Sequence, residues 1–487
     1  MTIQRDLIIN GEHVPAASGR TTDDVSPWDQ SVYAQVAAAG PEDVRRAVDA
    51  AEAAFEGWAA TGPSQRARIF ATAADLLEER TPEGIELMAR EVGGVAPWAG
   101  FNAHLAADIL RSAATAATAV QGQVLTTDMP GKLSLGVRRP YGVCAAISPW
   151  NAPFILGVRA LAVPLAVGNT VVLKPSEDAP LACGLFLADV LLDAGLPAGV
   201  LNVVTNDRDD AAEVVEALIA DERVRNVNFT GSTNVGRTIG TLAAQHLKPA
   251  VLELGGKNSV VVLESADVDY AVDAATFGAF MNAGQICMSA DRIIVDRSIA
   301  EEFTEKLVAK VASLPSGDPT DPSTVIGPQV NVRAAERQFA LVQDAVEKGA
   351  TVHTGGTKPD GALLEATVLS GITRDMRMHR EEIFGAATTV YTVDGPDEAV
   401  ALANETEYGL TAGVIAEDLR AGWSVAERIK TGIVHVNDQS VNDEPFAPFG
   451  GVQSSGYGKF GGDAGIDSFT EMRWMTVQKD GHAGYPF

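Results

Sequence analysis

The sequence predicts an α/β protein built on a doubly wound parallel sheet, and two features support this prediction. From about Gly142 onward, short apolar runs alternate with segments of helical periodicity, and a second series of the same kind follows Cys287. Repeated strand and helix units of this length imply right-handed crossovers, which build a parallel sheet with helices on both faces. The chain has 487 residues, 46% of them apolar, which is the length of roughly two to four domains.

The first series is preceded by helices and then alternates regularly. The N-terminal third contains three long helical segments, Pro41–Phe55, Ser64–Arg80 and Pro82–Val92. The expected strands of the series are Gly142–Ser148, Asn169–Lys174, Val200–Val204, Val224–Phe229 and Ala250–Leu254. The expected helices between them are Ile155–Val167, Leu181–Ala194, Ala211–Ala220 and Val235–His246.

The second series predicts a second α/β domain that begins near Cys287. Its expected elements are Arg292–Val295, Ala300–Ser313, Ala334–Lys348, Leu363–Leu369, Asp397–Glu405 and Gly413–Ala416. Two further segments suit exposed strands, Lys132–Arg139 with its alternating pattern and Phe469–Gln478 near the C-terminus. Sheet edges of this kind bind partner strands.

Composition narrows the class of function. The formal net charge is −27, with 64 acidic and 37 basic residues, which repels phosphate backbones and argues against a nucleic-acid partner. The longest apolar tract, Leu156 to Leu173, is interrupted by charged, proline and glycine residues, so it predicts helix, turn and strand rather than a membrane span. The first residues carry charge where a secretory signal needs an apolar core, so we expect a cytoplasmic protein with no membrane partner.

The cysteine and histidine content predicts neither a disulfide framework nor a metal site. The three cysteines, Cys144, Cys183 and Cys287, are an odd and sparse set that fits a reducing compartment. The seven histidines are scattered singly, without a pair at ligand spacing near other candidates. We therefore expect no metal.

Cys287 and Glu253 form a candidate pair of nucleophile and base. Cys287 lies in the segment Gly284–Ser289, and Glu253 lies upstream in the segment Leu252–Asn258. A thiolate is a strong nucleophile once its proton is removed, and a carboxylate that holds a water can hydrolyse the covalent intermediate that results. The glycines that follow Glu253 break a helix, so this carboxylate could lie in a cavity.

Two further blocks accompany this pair, Ile147–Phe154 and Glu381–Gly385. With the four blocks in this order, the chain resembles the aldehyde dehydrogenase superfamily from about Ile8 to Gln478. The resemblance implies a Rossmann-like NAD-binding domain (residues 1–121 and 141–252), an α/β catalytic domain (residues 253–452) and a small β oligomerisation arm (residues 122–140 and 468–487). It also implies a homodimer or homotetramer in which the arms pair across subunits.

The resemblance assigns the catalytic steps to three residues. Cys287 would attack the aldehyde carbon, and Asn151 would be the side-chain half of the oxyanion hole, with the backbone N–H of Cys287 as the other half. After a hydride has left, Glu253 would activate the water that hydrolyses the thioester. Relatives that pass the acyl group to coenzyme A lack a glutamate at this position, so the expected product is a free carboxylic acid.

The cofactor prediction combines a physical feature with the resemblance. The chain has no Gly-x-Gly-x-x-Gly after a strand, but Asn228–Gly236 runs from a strand into a helix start through a glycine turn, and helix N-termini bind phosphate. The resemblance implies that the Glu177 carboxylate repels the extra phosphate of NADP, which favours NAD. The expected cofactor contacts are Trp150, Lys174, Ser176, Glu177, Gly231, Ser232, Gly236, Leu254, Glu382 and Phe384.

The expected substrate is an aromatic aldehyde. Ala152 stands where many aliphatic-aldehyde relatives carry a bulky aromatic residue, Arg159 follows on the same helical face, and Trp98 could supply a flat wall. The chain thus looks like the branch that acts on benzaldehyde, salicylaldehyde and vanillin. The expected pocket consists of Trp98, Ala152, Arg159, Ile286, Met288 and Phe449.

Other interpretations of these residues stay open. Trp98 could belong to the core, and Arg159 could pair with a carboxylate in a subunit contact. The enzyme could instead be an aliphatic aldehyde or semialdehyde dehydrogenase, in which Arg159 would hold a substrate carboxylate. A non-catalytic member of the family is a third interpretation, and the presence of Cys287, Glu253 and Asn151 counts against it.

Overall fold

The computed structural model describes residues 3–479, 485 and 487. Residues 1, 2, 480–484 and 486, at the ends of the expected first domain and arm, lie outside the described part. The strands are, in chain order, β1 (Ile3–Arg5), β2 (Leu7–Ile9), β3 (Glu12–Val14), β4 (Thr21–Val25), β5 (Val32–Ala37), β6 (Gln123–Leu125), β7 (Lys132–Pro140), β8 (Val143–Ser148), β9 (Thr170–Pro175), β10 (Leu201–Val203), β11 (Val224–Thr230), β12 (Ala250–Glu253), β13 (Ser259–Val262), β14 (Arg292–Asp296), β15 (Thr351–Thr354), β16 (Thr367–Ser370), β17 (Ala387–Val393), β18 (Thr411–Ile415), β19 (Ile433–Val436), β20 (Gly456–Tyr457) and β21 (Thr470–Gln478).

The helices alternate with these strands. They are α1 (Pro41–Ala59), α2 (Pro63–Glu79), α3 (Thr81–Val92), α4 (Ala96–Ala119), α5 (Pro153–Ala166), α6 (Phe186–Asp193), α7 (Ala211–Ala220), α8 (Thr233–Gln245), α9 (Val268–Phe280), α10 (Ala300–Ala312), α11 (Val332–Glu347), α12 (Arg377–Arg380), α13 (Gly395–Ala403), α14 (Leu419–Ala426) and α15 (Gly462–Ser468). Ser232, Asp267 and Asn331 accept hydrogen bonds from backbone N–H groups in the first turns of α8, α9 and α11. These caps satisfy donors that a helix start leaves unpaired.

The first of two large sheets has the strand order β20-β12-β11-β8-β9-β10-β2-β3. Its five central strands, β12 to β10, are parallel, and the outer strands run antiparallel to their neighbours. From β8 the chain adds β9 and β10 on one side and then β11 and β12 on the other. Alternate residues of β8 pack in two different hydrophobic clusters, Cys144 and Ala146 in one and Val143, Ala145 and Ile147 in the other. Both faces are therefore covered, which confirms the doubly wound arrangement.

The second large sheet has the order β15-β16-β17-β14-β13-β18-β19. All its strands are parallel except the edge strand β15. β12 ends at Glu253 and β13 begins at Ser259, so the five residues 254–258 connect the two large sheets, and the chain returns to the first sheet between β19 and β20. The carboxyl end of one sheet consequently faces the amino ends of strands in the other.

A three-stranded antiparallel sheet with the order β21-β7-β6 forms the arm. β21 and β7 pair over their full length, from Thr470 opposite Pro140 to Gln478 opposite Lys132. This pairing confirms both strands that the sequence predicts outside the two large sheets. A further small sheet contains β1, β5 and β4.

The structure differs from the predicted elements in a few places. The pattern does not predict α4, the 24-residue helix Ala96–Ala119, because this helix packs against α2, α3 and α5 and buries apolar residues on several sides, which blurs the helical periodicity. The second series begins earlier than expected, at β13, before Cys287. The helix expected from Leu181 starts with a π-helical turn, Leu181–Leu185, before α6.

The α/β class is confirmed by the two large sheets and the helices that cover them. The division into domains at residues 121, 141, 252 and 452 stays a prediction. Among the residues that the structure describes, no helix is long and apolar enough to cross a membrane. Within the same part of the chain, no group of three or more His, Cys, Asp or Glu side chains is placed to hold a metal ion.

Candidate active site

The candidate site lies where the two large sheets meet. Strands of the first sheet lead at their carboxyl ends into the expected site residues Asn151, Glu177, Ser232 and Glu253. Strands of the second sheet are preceded at their amino ends by the segment 254–258, by Cys287 and by Glu382. Doubly wound sheets bind ligands at their carboxyl edge, next to the reversal of strand order. Residues that are far apart in the sequence therefore share one crevice.

A tightly held loop carries Cys287. Asn282 has a left-handed backbone with a φ of 51°, and a Cβ on Gly284 would lie 2.0 Å from the carbonyl oxygen of Gly385. Asn258 Nδ2 donates a hydrogen bond of 2.7 Å to the Cys287 carbonyl. A left-handed backbone at a non-glycine residue persists only where surrounding contacts impose it. These contacts fix the position of the thiol.

Cys287 and Glu253 lie in surroundings that disfavour negative charge. Glu253 is 1% exposed, and neither of its carboxylate oxygens has a hydrogen-bond partner among the described residues. Burial raises the pKa of Glu253 to about 8, and the positive charge of Arg159 and the Cys287 thiol oppose this shift. Burial also raises the pKa of Cys287, and the carboxylates of Glu253 and Glu382 add to the effect. Both groups are therefore mostly protonated at neutral pH.

Fixed contacts orient the side chain of Asn151. Its backbone carbonyl accepts hydrogen bonds from the indole of Trp98 at 3.1 Å and from the side chain of Asn282 at 3.0 Å. Its Nδ2 donates one N–H to the Gln285 carbonyl at 3.0 Å, which leaves the second N–H for another acceptor. Asn151 and Cys287 both line the two cavities that meet at this point. The second N–H is therefore available to an oxyanion formed at Cys287.

A long cleft runs from Cys287 along the carboxyl edge of the first sheet. Its near part has a volume of about 640 Å³ and its far part about 1110 Å³. Residues of the turns after β8 and β11 line both parts, Pro149, Trp150, Thr230, Gly231 and Asn234. The near part also contains Ser232, Glu382 and Phe384, and the far part contains Lys174, Ser176 and Glu177. All expected cofactor contacts except Gly236 and Leu254 thus line one continuous cleft.

An ion pair between Lys174 and Glu177 lies in the far part of the cleft. Asn206 Nδ2 also donates to Glu177, at 3.1 Å. Burial alone would raise the pKa of Glu177, but Lys174 and the hydrogen bonds outweigh burial, so the pKa is lowered and the carboxylate is ionised. The Arg208 guanidinium lines the same part and is bound to Asp178.

The N-terminus of α8 opens into the cleft. Ser232 caps this helix by accepting a hydrogen bond from the Val235 N–H at 3.4 Å. The remaining N–H groups of the first turn could hold a phosphate group, as helix N-termini do in general. Gly236 and Leu254 lie behind this turn, where a Cβ on Gly236 would be 2.3 Å from the Leu254 side chain. The glycine therefore lets α8 pack closely against the segment after β12.

The loop before β17 closes the near part of the cleft. Glu382 Oε1 accepts a hydrogen bond of 2.9 Å from the Gly256 N–H, and a Cβ on Gly255 would lie 2.5 Å from the Glu382 carboxylate. Burial raises the pKa of Glu382 to about 7. Phe384 has a left-handed backbone with a φ of 49°, and its ring meets Trp150 edge-on with 5.6 Å between the centroids.

A buried ion pair anchors this loop. Lys257 Nζ lies 3.0 Å from Asp291 Oδ2, and the two side chains are 0% and 4% exposed. Asp291 also accepts a hydrogen bond of 2.9 Å from the backbone N–H of Ile383. Loss of either partner would leave an uncompensated buried charge, which costs about 3–5 kcal/mol. The pair therefore holds the loop against the starts of β13 and β14.

A second cavity, lined mainly by apolar side chains, also reaches Cys287. It contains every residue expected for the substrate pocket, Trp98, Ala152, Arg159, Ile286, Met288 and Phe449. It also contains residues that the sequence does not predict, Phe101, Ile155, Leu156, Val441 and Asp443. The free volume is about 30 Å³, so a ring-sized ligand must widen the cavity. Phe101, which is 42% exposed, is its most exposed lining residue.

Arg159 and Asp443 form a buried ion pair in this second cavity. Arg159 Nη2 lies 2.5 Å from Asp443 Oδ2, and the side chains are 6% and 5% exposed. The Arg159 guanidinium carbon lies 4.1 Å from the centroid of the Phe449 ring. The partner of Arg159 is thus a carboxylate of its own chain rather than of a subunit contact. Trp98 is 3% exposed and belongs to the hydrophobic core while it lines the cavity.

The sequence does not predict several residues of the site. Ile155 and Leu156 lie one helical turn from Ala152, so helical spacing could have found them. Phe101 lies one turn from Trp98, but on α4, the helix that the pattern does not predict. Asn258 ends the segment Leu252–Asn258, and Asp443 lies in Asn442–Glu444, a segment that also resembles the aromatic branch. The sequence gives neither residue a role, because their partners, the Cys287 carbonyl and Arg159, are distant in the chain.

The cleft fits a nicotinamide dinucleotide. A helix N-terminus faces its middle, an ionised carboxylate lies at one end, and aromatic side chains lie near Cys287 at the other. Lys174 and Glu177 would hold a ribose, the first turn of α8 would hold the phosphates, and Glu382 and Phe384 would lie beside the nicotinamide half. The second cavity then leads a further reactant to the thiol of Cys287.

Known proteins are similar to this chain in sequence and in structure. The sequence pattern of the aldehyde dehydrogenase family matches residues 13–475. A vanillin dehydrogenase of Pseudomonas sp. (strain HR199 / DSM 7063) is 50% identical over 480 residues, 99% of either chain. The crystal structure of a salicylaldehyde dehydrogenase from Pseudomonas putida G7 complexed with salicylaldehyde is 43% identical, with a TM-score of 0.97 and 100% of both chains covered. PnpE in complex with nicotinamide adenine dinucleotide is 36% identical with a TM-score of 0.95, again over 100% of both chains. The chain therefore belongs to the aldehyde dehydrogenase family, enzymes that oxidise an aldehyde with a nicotinamide cofactor.

Proposed function

We propose that this enzyme oxidises an aromatic aldehyde of the benzaldehyde, salicylaldehyde or vanillin type to the carboxylic acid, with NAD as the cofactor. The main support is the cavity that meets the cleft at Cys287. Its walls are apolar and aromatic, and Ala152 leaves room beside the Asn151 amide. A planar ring is the ligand that such walls favour. The names of two similar proteins, a vanillin dehydrogenase and a salicylaldehyde dehydrogenase, indicate the same class of substrate.

The buried pair of Arg159 and Asp443 disfavours a semialdehyde substrate. A substrate carboxylate would need a free cation in the cavity, whereas Arg159 is bound to Asp443 at 2.5 Å. A second carboxylate would also meet the negative charge of Asp443, and like charges placed together cost several kcal/mol. An uncharged ring avoids this repulsion.

Cys287 begins the proposed reaction by attacking the aldehyde carbon. Its thiol must lose a proton first, because burial and two carboxylates favour the protonated form, and this proton passes to water in the cleft. The oxyanion that forms accepts hydrogen bonds from the Asn151 side chain and from the backbone N–H of Cys287. The nicotinamide ring, when bound, supplies the acceptor for the hydride. Cys287 then holds the acyl group as a thioester.

Glu253 completes the proposed reaction by activating a water. Both of its oxygens are free of hydrogen bonds from the described residues, so they can accept a proton from a water that attacks the thioester. Gly255 leaves space for the Glu382 carboxylate, which accepts a hydrogen bond from the Gly256 N–H. The product is the free acid.

The charges in the far part of the cleft favour NAD over NADP. Glu177 is ionised there, and its charge would face the 2′-phosphate of NADP. The cations next to it are already paired, Lys174 with Glu177 and Arg208 with Asp178. Neither Lys174 nor Arg208 is therefore free to neutralise the extra phosphate of NADP.

A panel of aldehydes tests the substrate class. Benzaldehydes are expected to give a higher kcat/KM than acetaldehyde or succinic semialdehyde, measured by NADH absorbance. Ala152→Phe fills the cavity, so it should lower kcat/KM for benzaldehydes by roughly tenfold or more and spare acetaldehyde. A short alkanal or semialdehyde whose kcat/KM exceeds that of every benzaldehyde would show the aromatic assignment to be wrong.

The Cys287→Ala variant should lose oxidation of every aldehyde and still bind NAD, because the cofactor contacts lie on other segments.

The pH dependence of turnover tests Glu253. Because its pKa is raised to about 8, the carboxyl group is protonated at lower pH, and thioester hydrolysis should accelerate as pH rises to about 8 and level off above it. At about pH 6, rapid mixing should give a burst of NADH before a slow steady rate. Glu253→Gln should keep the burst and lose the pH-dependent steady rate. Full steady turnover in this variant would remove Glu253 from the mechanism.

The ratio of kcat/KM for NAD and NADP tests Glu177. Glu177→Gln removes the negative charge and keeps the shape, so the preference for NAD should narrow by roughly tenfold, the value of one charge interaction of about 1.4 kcal/mol. Glu213→Gln controls for the change in net charge, because the Glu213 side chain on α7 is not among those that line the cleft. Equal efficiency with both cofactors in the unmodified enzyme would mean that Glu177 does not face the ribose.

The arm carries an exposed apolar surface. Trp474 of β21 is 73% exposed, and Met472, two residues earlier on the same face of this strand, is 45% exposed. Contiguous exposed apolar side chains mark interaction sites. We propose that the arm contacts a second copy of this chain in a homodimer or homotetramer.

Mass measurement by light scattering tests the role of the arm. Trp474→Glu places a charge in the proposed contact, so it should lower the oligomer mass at micromolar protein concentration. Trp423→Glu is the matched control, because Trp423 on α14 is also exposed, at 59%, and lies outside the arm. An unchanged mass for Trp474→Glu, or an equal loss in both variants, would place the contact elsewhere.

A further inference from the structure

An unused hydrogen-bond acceptor lies in the cavity that reaches Cys287. Asp443 has a side chain that is only 5% exposed. Its Oδ2 is bound to Arg159 Nη2 at 2.5 Å, whereas its Oδ1 has no hydrogen-bond partner among the described residues. Buried carboxylate oxygens are normally hydrogen-bonded, because desolvating one without a donor is costly. Oδ1 therefore needs a donor that the surrounding side chains do not supply.

The other polar groups of the cavity already have roles. The Trp98 indole donates to the Asn151 carbonyl, and the Asn151 amide and the Cys287 thiol lie where the cavity joins the cleft. Arg159 is held between Asp443 and the face of the Phe449 ring. Asp443 Oδ1 is thus the carboxylate oxygen that the cavity wall offers to a ligand.

We propose that Asp443 Oδ1 accepts a hydrogen bond from a hydroxyl group on the aromatic ring of the substrate. The enzyme would then select hydroxylated benzaldehydes and bind them as neutral phenols. A phenolate has lost the proton that this bond requires, and its charge would meet the Asp443 carboxylate. This inference rests on the proposed aromatic function.

Arg159 acts as a positioning residue in this proposal. Its guanidinium fixes Asp443 through Oδ2 and is itself held over the Phe449 ring at 4.1 Å. A hydrogen bond to a charged and buried acceptor is stronger than one between neutral groups. A ring without a hydroxyl group leaves Oδ1 unpaired, and sites that expect such a bond discriminate against ligands that lack it.

The unmodified enzyme gives the first test. We would measure kcat/KM for the 2-, 3- and 4-hydroxybenzaldehydes and for the matching fluorobenzaldehydes, since fluorine is small like a hydroxyl group but has no proton to donate. At one ring position or more, the hydroxy compound should exceed its fluoro counterpart by roughly tenfold to a hundredfold. The absence of a preference at every position overturns the inference.

Asp443→Asn gives the second test because it keeps the shape of the side chain. Arg159 has only donors, so the new amide must turn its oxygen to Arg159 and its NH2 group to the position of Oδ1. The ratio of kcat/KM for the hydroxy and fluoro compounds should then fall by roughly tenfold. Methoxybenzaldehydes, which can only accept, should gain relative to hydroxybenzaldehydes. Electronic effects of the ring cancel, because the same compounds are compared in both proteins.

A double variant covers the case in which the unpaired Arg159 charge prevents folding. Arg159→Met combined with Asp443→Leu removes both charges together, which proteins often tolerate, and it should also lose the hydroxyl preference. Glu444→Gln is the matched control, because Glu444 is the next residue and does not line the cavity. This control should keep the ratio of the unmodified enzyme.

The outcomes separate this inference from the proposed function. If every benzaldehyde is poorer than short alkanals, the aromatic function fails and the inference fails with it. If benzaldehydes are good substrates but the folded variants keep the hydroxy-to-fluoro ratio, the aromatic function stands and Asp443 is not the acceptor.

Discussion

The whole site depends on the segment Leu254–Asn258, which connects the two large sheets directly. Leu254 packs under α8, and Gly255 leaves space for Glu382. Lys257 pairs with Asp291, and Asn258 holds the carbonyl of Cys287. Because the strands on both sides are fixed in close-packed sheets, this short connection sets the separation of Glu253 and Cys287. A shift of one sheet against the other would alter the cleft and the second cavity together.

Burial has one common effect on the ionisable groups around the thiol. It raises the pKa values of Glu253, Glu382 and Cys287, so these groups carry less negative charge at neutral pH than exposed ones would. The reaction creates negative charge on the aldehyde oxygen, and resident carboxylates would oppose it. A site with little resident negative charge, in which the Asn151 amide is the proposed donor to the reacting oxygen, reduces this opposition.

The sequence predicts local features well and tertiary pairings poorly. The alternation that predicts β8, α5 and β9 is local, and the motifs around Cys287 and Glu253 lie within a few residues of each chemical group. By contrast, α4 is buried on several sides and shows no clear period. The partner of Arg159 lies in a distant loop, so only the folded structure identifies Asp443. The same reason hides the contact between Gly284 and Gly385.

That contact at Gly284 limits where the enzyme can be altered to accept new aldehydes. Gly284 has a φ of 73° and no space for a side chain, so the loop that carries Cys287, the proposed nucleophile, tolerates little change. Residues such as Phe101, Ile155 and Val441 line the cavity from other elements and take no part in holding that loop. Directed evolution should therefore vary these wall positions and leave residues 282–287 intact. Natural divergence in substrate range within this fold is subject to the same restriction.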